Sequence, residues 1–165
     1  MDKNPKAVFG RVTTKFVEFQ PLYESEFPPG VSDGGRFVHF TVRSKDGESV
    51  VDIVPLIDMK EWRRFVEQLQ ELPSSTSGYA WLQPVDEKLK IEIRTTVSLR
   101  FEAEFTLNTH EDPVSPEARA LTPQQRETFI IRVSLHLADE ELQTATTGAE
   151  AILTAYGDPK NCARS

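Results

Sequence analysis

Residues 97–107 read VSLRFEAEFTL, in which Val97, Leu99, Phe101, Ala103, Phe105 and Leu107 alternate with Ser98, Arg100, Glu102, Glu104 and Thr106. An unbroken period of two over this length buries one face and wets the other, which is the pattern of an antiparallel sheet; a doubly wound parallel sheet is covered on both faces and reads apolar throughout. The neighbours repeat the signal. Residues 78–83 and 88–94 flank the polar turn Val85-Asp86-Glu87 and predict a hairpin, and residues 128–137 place Phe129, Ile131, Val133, Leu135 and Leu137 on one side.

Toward the N-terminus, residues 8–20 are rich in β-branched and aromatic side chains and predict one strand ended by Pro21. Residues 22–35 (LYESEFPPGVSDGG) hold Pro-Pro-Gly and Asp-Gly-Gly and predict a long loop. Residues 36–43 and 49–56 form a hairpin across Lys45-Asp46-Gly47. Asp58 and Glu61 have the spacing of a capping box, and Trp62, Phe65, Val66, Leu69 and Leu72 then fall on one helical stripe until Pro73. A second helix is expected over residues 139–155, with Leu142, Ala145, Ala149, Ile152 and Leu153 inward and Gly157 at its end. The order β-β-β-α-β-β-β-β-α implies an α+β architecture, a largely antiparallel sheet of about seven strands with two amphipathic helices. The expected organisation is a single α+β domain over residues 1–157 and a flexible tail over 158–165.

The chain has 165 residues, a net charge of −7 and a pI near 5.0. That balance opposes unaided binding to nucleic acid or to an anionic membrane. The stretch MDKNPKAVFG has no signal-like apolar run and no window approaches a membrane span, so a cytoplasmic location is expected. The single cysteine, Cys162, forms no intrachain disulfide and lacks companions for a zinc site.

Catalytic motifs are missing from the sequence. There is no Gly-x-Ser-x-Gly, no Gly-rich phosphate loop before a helix, no His-Glu-x-x-His and no Cys-x-x-Cys. His39 and His136 fall on the more polar faces of their strands, where a half-exposed sheet position is the ordinary reading. His110-Glu111-Asp112 puts three metal-ligand types in a row, but consecutive residues of an extended loop point different ways. Trp62 and Trp81 read as core or half-core. No cofactor and no metal is expected.

Candidate partner-binding residues lie in three places. The first loop mixes Tyr23 and Phe27 with Glu24, Glu26 and Asp33, and aromatic anchors ringed by charge suit a steered protein interface. The proline-rich segment after Asn108 adds Glu111 and Asp112. The wet face of residues 97–107 adds Arg100, Glu102 and Glu104, on a surface left open if both helices cover the other side.

The helix EWRRFVEQLQEL (61–72), the strand Gly78-Tyr79-Ala80-Trp81-Leu82, the two alternating strands after it and the closing helix ADEELQTATTGAEAIL (138–153) together resemble the small bacterial immunity proteins of the WapI type and related families. The resemblance covers residues 58–155. Thr95-Thr96 stands where that pattern has a glycine, and the loop over residues 22–35 is an addition. The resemblance implies a non-enzymatic inhibitor that binds another protein, a basic toxin domain, and it carries no catalytic residue over. Two alternatives remain open: a structural protein that forms a homodimer through an open sheet face, and an enzyme of unfamiliar type using His39 or His136.

Overall fold

The computed structural model describes residues 4–24, 36–97, 100–109 and 130–157. Among them, nine strands run as β1 (Ala7–Arg11), β2 (Lys15–Glu24), β3 (Phe37–Asp46), β4 (Ser49–Ile53), β5 (Leu56–Asp58), β6 (Tyr79–Leu82), β7 (Leu89–Thr95), β8 (Phe101–Asn108) and β9 (Ile130–Leu137). Helix α1 (Met59–Glu71) separates β5 from β6, and helix α2 (Asp139–Tyr156) follows β9. Every pairing is antiparallel, and the strands form two sheets. The first has the order β4-β3-β2-β1 with β5 added along the other half of β3; the second is the meander β6-β7-β8-β9. This is the α+β order expected from the alternation.

One apolar core takes side chains from both sheets and both helices. Phe9 and Phe19 of the first sheet reach Phe105 of the second, at ring-centroid distances of 5.4 and 6.3 Å. Trp62 of α1 packs between Phe19 and Phe40, and its indole N–H donates to the Ala149 carbonyl of α2 at 3.1 Å. α2 lies so close to β1 that a Cβ on Gly148 would stand 2.1 Å from the Lys6 carbonyl oxygen. Both helices are therefore spent on the inner faces of the sheets.

Three segments depart from their sequence reading, each for a local reason. Residues 8–20 are a hairpin, not one strand. The chain turns at residues 12–14, where the Thr14 N–H donates to the Arg11 carbonyl, and Phe9 faces Val17 across the ladder while Val12 points into water. β2 continues through Pro21 to Glu24, because the register against β3 shifts between Pro21 and Tyr23 and so tolerates a residue without an N–H. Pro55 divides residues 49–56 into β4 and β5, and its carbonyl accepts from Phe40 N–H. The strand count thus becomes nine.

Over the opening stretch, pairing begins only at Phe101, opposite Thr95, and Val97 is fully exposed in the connection. Ser98 and Leu99 lie outside the described residues, as do Thr128, Phe129 and the tail over 158–165. The β6–β7 turn is held against the first sheet by Asp86, whose carboxylate accepts from Leu56 N–H at 2.8 Å.

At the start of α1 the Asp58 carboxylate accepts from Lys60 N–H at 2.9 Å, as an N-cap does. The reciprocal half of the capping box, a bond from Asp58 N–H to the Glu61 carboxylate, is not made. Glu61 instead has a buried carboxylate oxygen without a hydrogen-bond partner among the described residues. Burial, and next the charge of Asp58, push its carboxyl above the ordinary carboxylate value. A carboxyl that ionises at higher pH in the folded than in the unfolded chain favours folding at acid pH, and that contribution is lost as pH rises through its folded-state value. Glu61→Gln is thus expected to stabilise the protein at pH 7, by up to about 1 kcal/mol after allowance for partial exposure. The gain should vanish at pH well below 4.5, which thermal melts of both proteins across pH will check.

At the far end of α2, Gly157 keeps right-handed backbone angles and its N–H donates to the Leu153 carbonyl. It is the C-cap residue itself, without the left-handed turn of a C′ glycine.

Candidate protein-binding face

The strands of the two sheets carry charge in different ways. On the first sheet each carboxylate of the strands has a partner. Glu18 meets Lys6, Asp46 meets Lys15, and Asp52 and Glu24 make two-pronged pairs with Arg43 and Arg36. The Glu24 carboxyl is held below its usual range, first by hydrogen bonds from Arg36. Glu24 was expected to face a partner; its charge is already engaged, and the pair joins the residues on either side of 25–35. Tyr23, just before it, is exposed and stacks on His39 with centroids 4.6 Å apart.

On the second sheet the register sets three cross-strand rows on the outer face. Tyr79, Arg94, Glu102 and His136 form one; Trp81, Glu92, Glu104 and Ser134 the next; Lys90, Thr106 and Arg132 the third. Glu92 is paired with Lys90 at 2.7 Å and Arg94 at 3.3 Å, and the Lys90 hydrogen bond leads in holding its carboxyl low. Glu102 and Glu104 are also exposed, yet among the described residues neither has an ion pair. Arg100, at the foot of β8, is paired with Asp139 in the first turn of α2.

Tyr79 and Trp81 form the aromatic border of this face. Trp81 was expected as core or half-core and is partly exposed: the alternation of β6 buries Ala80 and Leu82 and turns Trp81 outward. The Arg64 guanidinium lies 3.7 Å from its ring centroid and donates to its carbonyl at 2.9 Å, while its N–H donates to the Gln68 side chain at 3.0 Å. Side chains of α1 thereby cover the edge of β6 at Trp81 and fix the indole as a stacked, partly exposed plate.

The other expected candidates scatter or fall outside the description. Glu26, Phe27, Asp33, Glu111, Asp112, His110 and Cys162 lie outside the described residues. His39 and His136 stand on the outer faces of different sheets and do not converge. Among the described residues no group of three or more His, Cys, Asp or Glu is placed to hold a metal ion, and no helix is long and apolar enough to cross a membrane.

Two antiparallel sheets and two helices packed around one core define an α+β domain. The model of the immunity protein WapI-like family matches residues 9–157, and the chain belongs to that family. No curated protein and no solved structure matches it.

Proposed function

We propose that the chain is an immunity protein that binds a cognate bacterial toxin and neutralises it without chemistry of its own, in the cytoplasm, using the outer face of the β6–β9 sheet. Family membership supports the immunity role. The observation that carries the choice of face is that Glu102 and Glu104, two residues apart on it, have no ion pair among the described residues, where Glu18, Glu24, Asp46 and Asp52 of the other sheet each have one. Unpaired carboxylates steer association with a basic surface, and Tyr79 and Trp81 supply rigid apolar area at low entropic cost. Arg100, at the foot of the face, adds to the proposed contact; Tyr23 and Glu24 on the other sheet, and Glu26, Phe27, Asp33, Glu111 and Asp112, are proposed as partner-binding residues separate from this face.

The test is titration of the purified chain with the toxin domain encoded beside it, at two salt concentrations. Replacing Glu102 and Glu104 together by lysine should weaken binding roughly 10–100-fold, mostly through slower association, and should reduce the salt dependence. Absence of binding, or binding indifferent to this charge reversal, would overturn the reading. A homodimer through the same face is the competing function, favoured by the exposed Tyr79, Trp81 and Ile130 on it. Sedimentation of the free chain separates the two, since a stable dimer would occupy the face that the toxin needs.

A further inference from the structure

Edge strands present unpaired main-chain groups, and most edges of this fold are covered. β1 lies against α2, with Gly148 on Lys6 and Ala7, and its Gly10 sits beside Leu135 of β9. At β6, Trp81 donates its N–H to Gln68 and its carbonyl accepts from Arg64, while Leu56 of β5 donates its N–H to Asp86. Among the described residues β4 has no such cover. β4 and β5 follow β3 in one register, and the bond from Phe40 N–H to the Pro55 carbonyl sets its phase. Ser49, Val51 and Ile53 therefore exchange hydrogen bonds with β3, and the main-chain groups of Val50, Asp52 and Val54 point away from it. The side chains of Val50 and Val54 are 53% and 41% exposed.

The sequence of this edge is symmetric. Residues 50–54 read VVDIV, with two apolar residues on each side of Asp52. Paired antiparallel with a second copy about a two-fold axis at Asp52, the strand sets Val50 opposite the second copy's Val54 and Val51 opposite the second copy's Ile53. Every outward main-chain group then finds a partner, and the inner pairs extend the core, against which Val51 already packs. Asp52 meets its own mate, and a like-charge pair of this kind opposes association. Each Asp52, however, is held by Arg43 in a two-pronged pair at 2.8 and 3.1 Å, so the row across the junction carries two cations and two anions. Sliding toward the hairpin turn by one pair would set Val50 against Asp52 and Val54 against Glu48. The apolar pattern thus selects one register, and that register is isologous, as a closed dimer requires.

We infer that the chain self-associates through β4, joining the first sheets of two copies into one continuous antiparallel sheet. A single short strand from each copy buries less than a standard interface, so the dimer is weak and transient, with a Kd of about 0.1–1 mM. It leaves the β6–β9 face free and does not rest on the toxin-binding reading.

The experiment is sedimentation velocity together with two-dimensional NMR of the isotope-labelled full chain, from about 10 μM to about 1 mM. A rising average mass is expected, with concentration-dependent shifts at the Val50, Asp52 and Val54 amides. Val50→Lys combined with Val54→Lys should abolish both, with amide signals elsewhere in place, since both side chains are exposed. Arg43→Gln uncovers the two Asp52 charges and should weaken the dimer about threefold or more, whereas Asp52→Asn should tighten it by a similar factor. Glu102→Lys with Glu104→Lys, on the other sheet, should leave it unchanged. The inference is overturned by a chain that stays monomeric throughout this range, by association that survives the two lysines in β4, or by association indifferent to both Arg43→Gln and Asp52→Asn. Loss of the dimer on replacing Glu102 and Glu104 would also overturn it and assign the pairing to the β6–β9 face.

Discussion

Replacing Trp62 by alanine will remove roughly 3–5 kcal/mol of folding free energy, the largest loss expected from a single truncation in this chain. A domain of ordinary stability holds only about 5–15 kcal/mol, so the variant will lie close to unfolding at 25 °C. The size of the effect comes from where the indole sits. It is fully buried, packs on Phe19, Phe40 and Phe65 at 5.8, 5.0 and 5.7 Å, and donates to the Ala149 carbonyl. One side chain therefore joins the first sheet, α1 and α2, and its loss opens a cavity at the meeting of three elements. Trp62→Phe keeps most of the ring contacts but abandons the hydrogen bond, and should cost about 1–3 kcal/mol. Urea unfolding of the three proteins measures both values. A loss below about 1 kcal/mol for Trp62→Ala would mean that the helices are not pinned at this point.

What was legible in the sequence follows from what alternation can and cannot encode. Phe101, Ala103, Phe105 and Leu107 are buried as their period of two demanded, and Trp62, Phe65, Val66 and Leu69 as their helical spacing demanded. Periodicity reports which way a side chain points but not where the chain reverses. Residues 8–20 kept a strand-like composition through a tight turn because Val12, Thr13 and Thr14 are β-branched residues serving as turn residues. Pro21 stayed inside β2 because a register shift excused its missing N–H, which only the partner strand could reveal.

The candidate face was legible in part for the same reason. Glu102 and Glu104 were placed outward by the pattern of their own strand. The outward position of Tyr79 and Trp81 was also available, from Ala80 and Leu82 between and after them, though Trp81 as a strand residue read as core or half-core. Which carboxylates are compensated depends on neighbours brought together by register. Glu24 is tied to Arg36, while Glu104 has no ion pair among the described residues, and nothing in their own strands distinguishes the two.

Gly148 provides the second large effect, and one whose sign decides between two accounts of the same residue. On helix propensity alone, a glycine inside α2 is a defect, and alanine there should stabilise by about 1 kcal/mol. The packing says the reverse. A Cβ at this position would stand 2.1 Å from the Lys6 carbonyl oxygen and 2.8 Å from the Ala7 Cα, and both obstacles are backbone. Ala7 is held in the ladder opposite Phe19, so β1 cannot yield without disturbing the Phe9, Phe19 and Phe105 cluster behind it. α2 would have to lift instead, uncovering Ala145 and Ala149 and drawing Glu141 away from Arg11. Gly148→Ala should therefore destabilise by about 1–2 kcal/mol despite the propensity gain, and Gly148→Val by about 3 kcal/mol or more. Thr147, the preceding residue, is exposed, and Thr147→Ala should stabilise by a few tenths of a kcal/mol, about what propensity alone provides. Adjacent substitutions to the same amino acid are thus expected to move the denaturation midpoint in opposite directions. If Gly148→Ala stabilises as Thr147→Ala does, the close seating of α2 on β1 is wrong, and with it the geometry that sets Glu141 beside Arg11.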